Sequence, residues 1–334
     1  MRIFSGIQPT GRKHLGNYVG AIAQYVIGQD RGEAIYCIVD LHAITVPHDP
    51  VELRTRVLDT TAILLAAGVD PSRCILFRQS DVPAHTELTW LLCAVTAHGD
   101  LNRMNQFREK SAAQRELVSA GLFLYPVLQA ADVLVYRADE VPVGDDQRQH
   151  IELMRDVAIR FNARFPDPRT GGEILVVPEH RIPEVGARIM DLQRPESKMS
   201  TSNASVEGTI YVLDEPAAIE KKFKRAVTDS GSEIRRDPAK PGISNLIDLL
   251  AAIRGVGHGE IEQEYATARY GDFKGLVAVA VIDYLAPVRE RYAALRADEA
   301  GLEATLEEGA ERARQIAGPT LADVRRAMGF GRPR

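Results

Sequence analysis

Hydrophobic and polar positions alternate in blocks along the first half of the chain. Ile3–Gly6 reads as a short strand. Leu15, Val19, Ile22, Ala23, Val26 and Ile27 then recur at the spacing of a helix that buries one face. The run AIYCIVD (34–40) is continuously apolar and β-rich, as a parallel strand covered on both faces should be. Residues 52–67 predict a helix ended by GVDP, CILF (74–77) a strand, 83–95 a helix, EVPV (140–143) a strand and 146–164 a helix. On that last helix Asp146 and Gln149 have the three-residue spacing of a capping box. Such strand–helix alternation predicts an α/β fold with a doubly wound parallel sheet.

The pattern changes after about residue 190. KMSTS (198–202) is a polar loop, and beyond it the periodicity predicts helices over 215–227, 243–254, 258–268, 273–297 and 302–328. The expected organisation is an α/β domain over 1–190, a mostly helical domain over 191–300, and a C-terminal helix, 301–334, placed to pack back on the first domain. No internal repeat or low-complexity tract stands out.

Composition narrows the class without choosing a function. A chain of 334 residues, 45% apolar and 26% charged, is long enough for a substantial core and ordinary for a globular protein. A net charge of −5 advertises no nucleic-acid partner, although a local basic patch would suffice for one. The opening Met1-Arg2-Ile3-Phe4 already reads as a strand, so no signal peptide is expected. The apolar segment from Leu276 to Val288 is broken by Asp283 and too short for a bilayer. Cys37, Cys74 and Cys93 are far apart in apolar runs, which predicts buried free thiols in a reducing cytoplasm. The eight histidines have no HExxH or CxxC companion, so no structural metal is expected.

Three segments carry candidate chemistry. SGIQPTGRKHLGNYVGA (5–21) places Gly6, Gly11 and Gly16 between a strand and a helix. Such a turn bares backbone N–H groups, and a helix N-terminus adds about half a positive charge, which together suit a phosphate. The spacing is neither GxGxxG nor the Walker pattern, and on these residues alone an exposed flexible loop is an equal account. GDDQ (144–147) follows a strand and opens a helix, where open α/β sheets bind ligands. In YPVLQAADVLVY (125–136), Tyr125, Gln129, Asp132 and Tyr136 share one face of a helix that is otherwise apolar apart from Pro126, expected in its first turn. The stripe could be the wet side of a surface helix. Because it holds no lysine, arginine or glutamate, a stripe facing a ligand fits better, and a carboxylate there needs a donor.

These segments together resemble the bacterial tryptophanyl-tRNA synthetases, a family of class I aminoacyl-tRNA synthetases. HLGN (14–17) is similar to the HIGH signature, with Asn17 in place of the last histidine. SKMSTS is similar to KMSKS, with Lys198 at the first lysine and Thr201 where the second is expected. VPVGDDQRQHIEL resembles the family's VPVGEDQ segment, and GARIMDL, AVTDSG and KPGISNL extend the likeness over nearly the whole chain. The resemblance implies a Rossmann-like catalytic domain and a helical domain that reads the tRNA anticodon. EKKFKRA and IRR are candidate phosphate contacts there, although solvated helix faces explain them about as well.

It also implies roles. Gln8, Pro9, Thr10, Gly16, Asn17, Gly144, Asp145, Asp146, Ile189 and the signature loop of Lys198, Met199, Ser200, Thr201 and Ser202 would hold ATP. His14, Lys198, Lys110 (in FREKSA) and Gln8 would act on the reacting phosphates. Asp132 would accept the indole N–H of L-tryptophan, Tyr125 and Gln147 would contact its amino group, and Phe4, Val39, His42, Val141 and Val143 would wall the pocket. Gln129 stands where some relatives carry methionine, and His42 could equally be a packed histidine. The implied reaction is ATP-dependent formation of tryptophanyl-adenylate followed by transfer to tRNA(Trp). Mg²⁺ would accompany ATP without a dedicated protein cage, and the chain would be a cytoplasmic homodimer with no membrane partner. Tyrosyl specificity on the same scaffold, or a regulatory relative that binds nucleotide or RNA without charging tRNA, are the alternatives.

Overall fold

A computed structural model describes residues 1–104, 118–142, 144, 147–181, 189–200 and 205–331. Five strands, β1 (Arg2–Ile7), β2 (Glu33–Ile38), β3 (Ile75–Arg78), β4 (Glu140–Pro142) and β5 (Glu179–Arg181), form one sheet in the order β3-β2-β1-β4-β5. All pairings are parallel, with Phe4 opposite Ile35 and Ile35 opposite Ile75. Ile3, Phe4, Ile35, Ile38 and Phe77 are buried, which explains the uninterrupted apolar runs. Strand order reverses direction at β1, with β2 on one side and β4 on the other. A crevice opens there at the carboxyl ends, as the winding of such sheets requires.

The edge strand β5 has no counterpart in the hydrophobic pattern. It is Glu-His-Arg, exposed throughout, and a short charged edge has no buried face to announce it. The first helical segment is also less regular than its spacing predicts. A helical turn at Leu15–Asn17 passes into a π-helical turn at Tyr18–Ile22 and then into a helix at Ala23–Gly28. Ile27, assigned to the buried face, is 56% exposed.

The helix carrying the polar stripe spans Ala120–Leu134, capped by Ser119 Oγ, which accepts from the Leu122 N–H at 3.1 Å. It starts earlier than the stripe, so Pro126 lies in its interior rather than its first turn and removes one intrahelical donor. The helix at Arg148–Arg164 begins with Gln147 at its cap and no side-chain cap bond. Gln149 donates from Nε2 to the Arg103 carbonyl at 3.4 Å, and Asp146, the other half of the predicted capping box, lies outside the described residues. Cys37 and Cys74 are buried free thiols, but Cys93 is only half-buried, at the end of the helix Ala84–Cys93.

Past residue 181 the described residues contain helices and isolated bridges but no further strand: Pro216–Lys224, Pro241–Arg254, His258–Glu264, Tyr270–Ala297 and Glu299–Ala327. One hydrophobic core joins the first helical segment and the helix Pro50–Ala67 to these later helices. The other lies between the opposite face of the sheet, the stripe helix and Glu299–Ala327. No helix among the described residues is long and apolar enough to cross a membrane.

The helix Glu299–Ala327 lies directly on β3. Arg312 Nη1 donates to the carbonyls of Pro71 at 2.7 Å and Cys74 at 3.0 Å. A Cβ added at Gly309 would sit 1.8 Å from the Leu76 carbonyl oxygen, a backbone atom of β3 that has no room to yield. Gly309→Ala is therefore expected to destabilise the protein by roughly 1–3 kcal/mol, read as a lower denaturant midpoint at unchanged slope.

Candidate functional site

A cleft of about 470 Å³ opens where β1 and β4 diverge. Phe4, Gly6 and Gln8 from β1 and its exit, Val39 and His42 after β2, and Val141 with Gly144 and Gln147 around β4 supply its walls. Tyr125, Gln129 and Asp132 face it from the stripe helix, and Thr10, Lys13, Asn17 and Gln24 close the side nearest the glycine-rich loop. Gly6 is required by contact: a Cβ there would stand 2.9 Å from Val39 Cγ1.

Asp132 sits at the floor, 2% exposed. Its Oδ2 accepts from His42 Nε2 at 2.7 Å, and its Oδ1 accepts from Gln79 Nε2 at 2.6 Å and His85 Nδ1 at 2.7 Å. Gln79 cannot turn its amide over, because its Oε1 accepts the Leu41 N–H at 3.0 Å. His85 gives its Nδ1 proton to Asp132, so in the neutral ring Nε2 accepts from the Tyr136 hydroxyl at 2.7 Å. Burial alone would raise the Asp132 pKa. Electrostatic attraction and hydrogen bonds from His42 and then His85 outweigh burial and hold it down to about 2. The floor is thus a fixed anion that can only accept hydrogen bonds.

Tyr136 does not join the ligand-facing stripe. The helix ends at Leu134, so the periodicity fails beyond it. Tyr136 is wholly buried, stacked on Phe4 with ring centroids 5.6 Å apart, and serves His85 instead. Tyr125 keeps its place on the cleft wall, and its hydroxyl lies 2.8 Å from His150 Nε2. Gln129 Nε2 reaches Gln147 Oε1 at 3.5 Å, joining two cleft segments.

On the loop side, His14 caps the helix start. Its Nδ1 accepts from the Asn17 N–H at 3.2 Å while Asn17 Oδ1 accepts from the His14 N–H at 3.1 Å. The remaining ring proton is therefore on Nε2. Burial, then the charges of Lys13 and Lys198, push the His14 pKa down to about 4, so the imidazole is neutral at pH 7. Gly16 must lack a side chain here, since a Cβ would meet the His14 ring at 3.0 Å. Thr10 Oγ1 donates to Gln8 Oε1 at 3.5 Å.

His14, Pro9, Gly16, Ile189, Lys198, Met199 and Ser200 do not line the cleft itself. Several of them gather beside it. Met199 is buried, and its N–H donates to the Ile189 carbonyl at 3.0 Å, which ties the polar loop to the core next to Gly16. Lys198 is exposed on this loop, near enough for its charge to bear on His14. Lys110, Val143, Asp145, Asp146, Thr201 and Ser202 lie outside the described residues.

Sequence reading passed over Gln79, His85 and Lys13. Gln79 and His85 flank a short loop, QSDVPAH, that looks like any polar connection until the fold brings it under Asp132. Lys13 reads as half of an ordinary Arg-Lys pair, yet it is buried on the cleft wall.

Known proteins resemble the chain along nearly its whole length. The profile of the tRNA synthetases class I (W and Y) matches residues 1–286. The tryptophan–tRNA ligase of Oceanobacillus iheyensis is 49% identical over 332 residues, covering 99% of this chain and 99% of its own. The crystal structure of tryptophanyl-tRNA synthetase from Mycoplasma pneumoniae has a TM-score of 0.90 at 33% identity, covering 99% of this chain and 98% of that one. The Campylobacter jejuni enzyme complexed with ADP and tryptophan has a TM-score of 0.82 at 33% identity, covering 99% of this chain and 100% of that one. With likeness running through both the sheet and the later helices, the chain belongs to the class I tRNA synthetases of the tryptophan and tyrosine branch.

Proposed function

We propose that the protein activates L-tryptophan with ATP, forming tryptophanyl-adenylate and pyrophosphate, and transfers the acyl group to tRNA(Trp). The observation that carries the reading is the acceptor-only carboxylate of Asp132 at the cleft floor. An indole N–H is a donor and nothing else, so it complements a fixed anion, while a phenylalanine would leave that anion without its ligand partner. The Campylobacter relative carries ADP and tryptophan, the two ligand classes that the loop and floor suit.

In this reading the ring of tryptophan lies between Phe4, Val39, His42, Val141 and Val143, and its amino group meets Tyr125 and Gln147, with Gln129 beside them. The nucleotide is held by Gln8, Pro9, Thr10, Gly16, Asn17, Gly144, Asp145, Asp146, Ile189 and the loop from Lys198 to Ser202. Mg²⁺ enters with ATP as part of the substrate complex. The tryptophan carboxylate attacks the α-phosphorus in line, and no covalent enzyme intermediate is needed, because such transfers ask mainly for positioning and charge stabilisation. Lys198, Lys110 and Gln8 stabilise the departing pyrophosphate. His14 serves as a neutral donor through Nε2–H rather than as an acid or base. The acyl group then passes to the 2′-hydroxyl of the terminal ribose.

The helical part beyond residue 190 is proposed to meet the anticodon. Within EKKFKRA, Lys222 is turned inward to Asp214 at 2.6 Å, which leaves Lys221, Lys224 and Arg225, the last beside Glu207 at 3.5 Å, as the exposed candidates. A cytoplasmic homodimer completes the reading.

Pyrophosphate exchange measured with each of the twenty amino acids tests it. Tryptophan alone should support rapid exchange, and equal rates with tyrosine would overturn the specificity. Because the His14 pKa lies near 4, the exchange rate should show no ionisation attributable to this ring between about pH 5.5 and 8, and His14→Asn should leave the profile's shape in that range unchanged while lowering its height.

A further inference from the structure

We propose that Lys13 is the resident counter-charge for the polyphosphate, a role that rests on the nucleotide reading above and that no signature motif assigns. Lys13 is 6% exposed, and its Nζ donates to the Gln8 carbonyl at 2.7 Å and the Thr10 carbonyl at 3.3 Å. An ammonium has three protons, so among the described residues one N–H and the positive charge remain to be matched. Among the described residues no carboxylate forms an ion pair with it. Asp59, whose field reaches it from the helix Pro50–Ala67, is already held by Arg296 Nε at 2.7 Å, Tyr292 at 3.1 Å and Arg56 at 3.5 Å. From the same helix Arg56 opposes the charge, and the neighbouring His14 is neutral at pH 7.

Buried charges are ordinarily paired, because taking an ammonium out of water is costly without an anion nearby. Here burial, then Arg56, bring the pKa down to about 8, so the group is still mostly protonated at pH 7. Its surroundings say what anion it awaits. Lys13 lines the cleft together with Gln8, Thr10 and Asn17, on the side of the glycine-rich turn, a strand-to-helix turn of the kind that suits phosphate. The signature loop carries Thr201 where a second cation is expected, so a positive charge supplied from beneath the turn fills a gap in the site's electrostatics. Lys13 holds the carbonyls of Gln8 and Thr10 in place and sets a charge behind them. It is a positioning residue that acts through the loop as well as through its field.

Calorimetric titration of the full chain with inorganic pyrophosphate, and separately with L-tryptophan, tests this in Lys13→Gln and Lys13→Arg. Glutamine keeps an N–H donor and loses the charge, whereas arginine keeps the charge. Lys13→Gln should weaken pyrophosphate binding about 10- to 100-fold, leave tryptophan affinity unchanged and melt no lower than the parent, because an unpaired buried charge has been removed. Lys13→Arg should stay within about threefold of the parent for pyrophosphate. Unchanged pyrophosphate affinity in Lys13→Gln would overturn the proposal. So would an equal loss in both variants accompanied by weaker tryptophan binding and a lower melting temperature, which is the signature of a structural clip. A parent protein that binds pyrophosphate yet exchanges it with no amino acid would sink the ligase reading while leaving this assignment standing.

Discussion

Asp132→Asn is expected to lower kcat/KM for tryptophan by about 10³-fold or more, with ATP and AMP affinity within twofold of the parent. The size follows from the geometry of the floor. Three donors, from His42, Gln79 and His85, converge on one carboxylate. An amide has one oxygen for them and brings an NH₂ of its own. Either that NH₂ faces the cleft and repels the indole N–H, or it faces the network and strands a donor, and a buried unsatisfied polar group costs about 1–3 kcal/mol. Because the pKa is held down to about 2, the ionised acid also stabilises the fold. That contribution is present above the ordinary carboxylate pKa of 3.8 and is lost as the pH falls towards 2. The variant should therefore lose the part of the parent's acid sensitivity that comes from this group. Equal loss of tryptophan and nucleotide binding would mean that the substitution had disturbed the fold and that the acid does not select the ring.

Lys198→Ala carries the second large effect. The exchange rate should fall about 10²–10³-fold, the usual consequence of deleting a preorganised group that meets charge developing in the transition state. The loop is tacked to the core through Met199 and Ile189, so removing the lysine head leaves its anchor in place. Tryptophan affinity in the absence of nucleotide should not move. With threonine at 201, the loop has no second lysine to compensate. An unchanged exchange rate would remove Lys198 from the proposed chemistry.

The sheet was legible because β1, β2 and β3 are mostly buried and announce themselves as short apolar runs and β4 buries Val141, while β5 is a charged edge that no hydrophobic pattern marks. Tyr125, Gln129 and Asp132 were legible as a stripe because a helix repeats its faces regularly. Tyr136 was misread because the helix stops two residues short of it. None of the three donors was legible as a partner of Asp132, although His42 was expected on the pocket wall. His42 follows β2, and Gln79 and His85 follow β3, 90, 53 and 47 residues from it, and only the parallel winding of the sheet brings those two connections to one end. Lys13 was hidden for a different reason. Burial of a lysine depends on what packs around it, and nothing in the neighbouring letters distinguishes a buried ammonium from a solvated one.

The helix Glu299–Ala327 also ties the floor of the cleft to the order in which the chain is made. It covers β3 through Gly309 and Arg312, and Gln79 and His85 follow immediately after that strand. A nascent polypeptide whose first three hundred residues have left the ribosome leaves Leu76 and Phe77 unshielded on that side, with the two donors beneath the acid resting on a strand that lacks its cover. On the proposed reading, the pocket for the ring is thus completed only once this late helix has been made, although the residues assigned to that pocket are translated early.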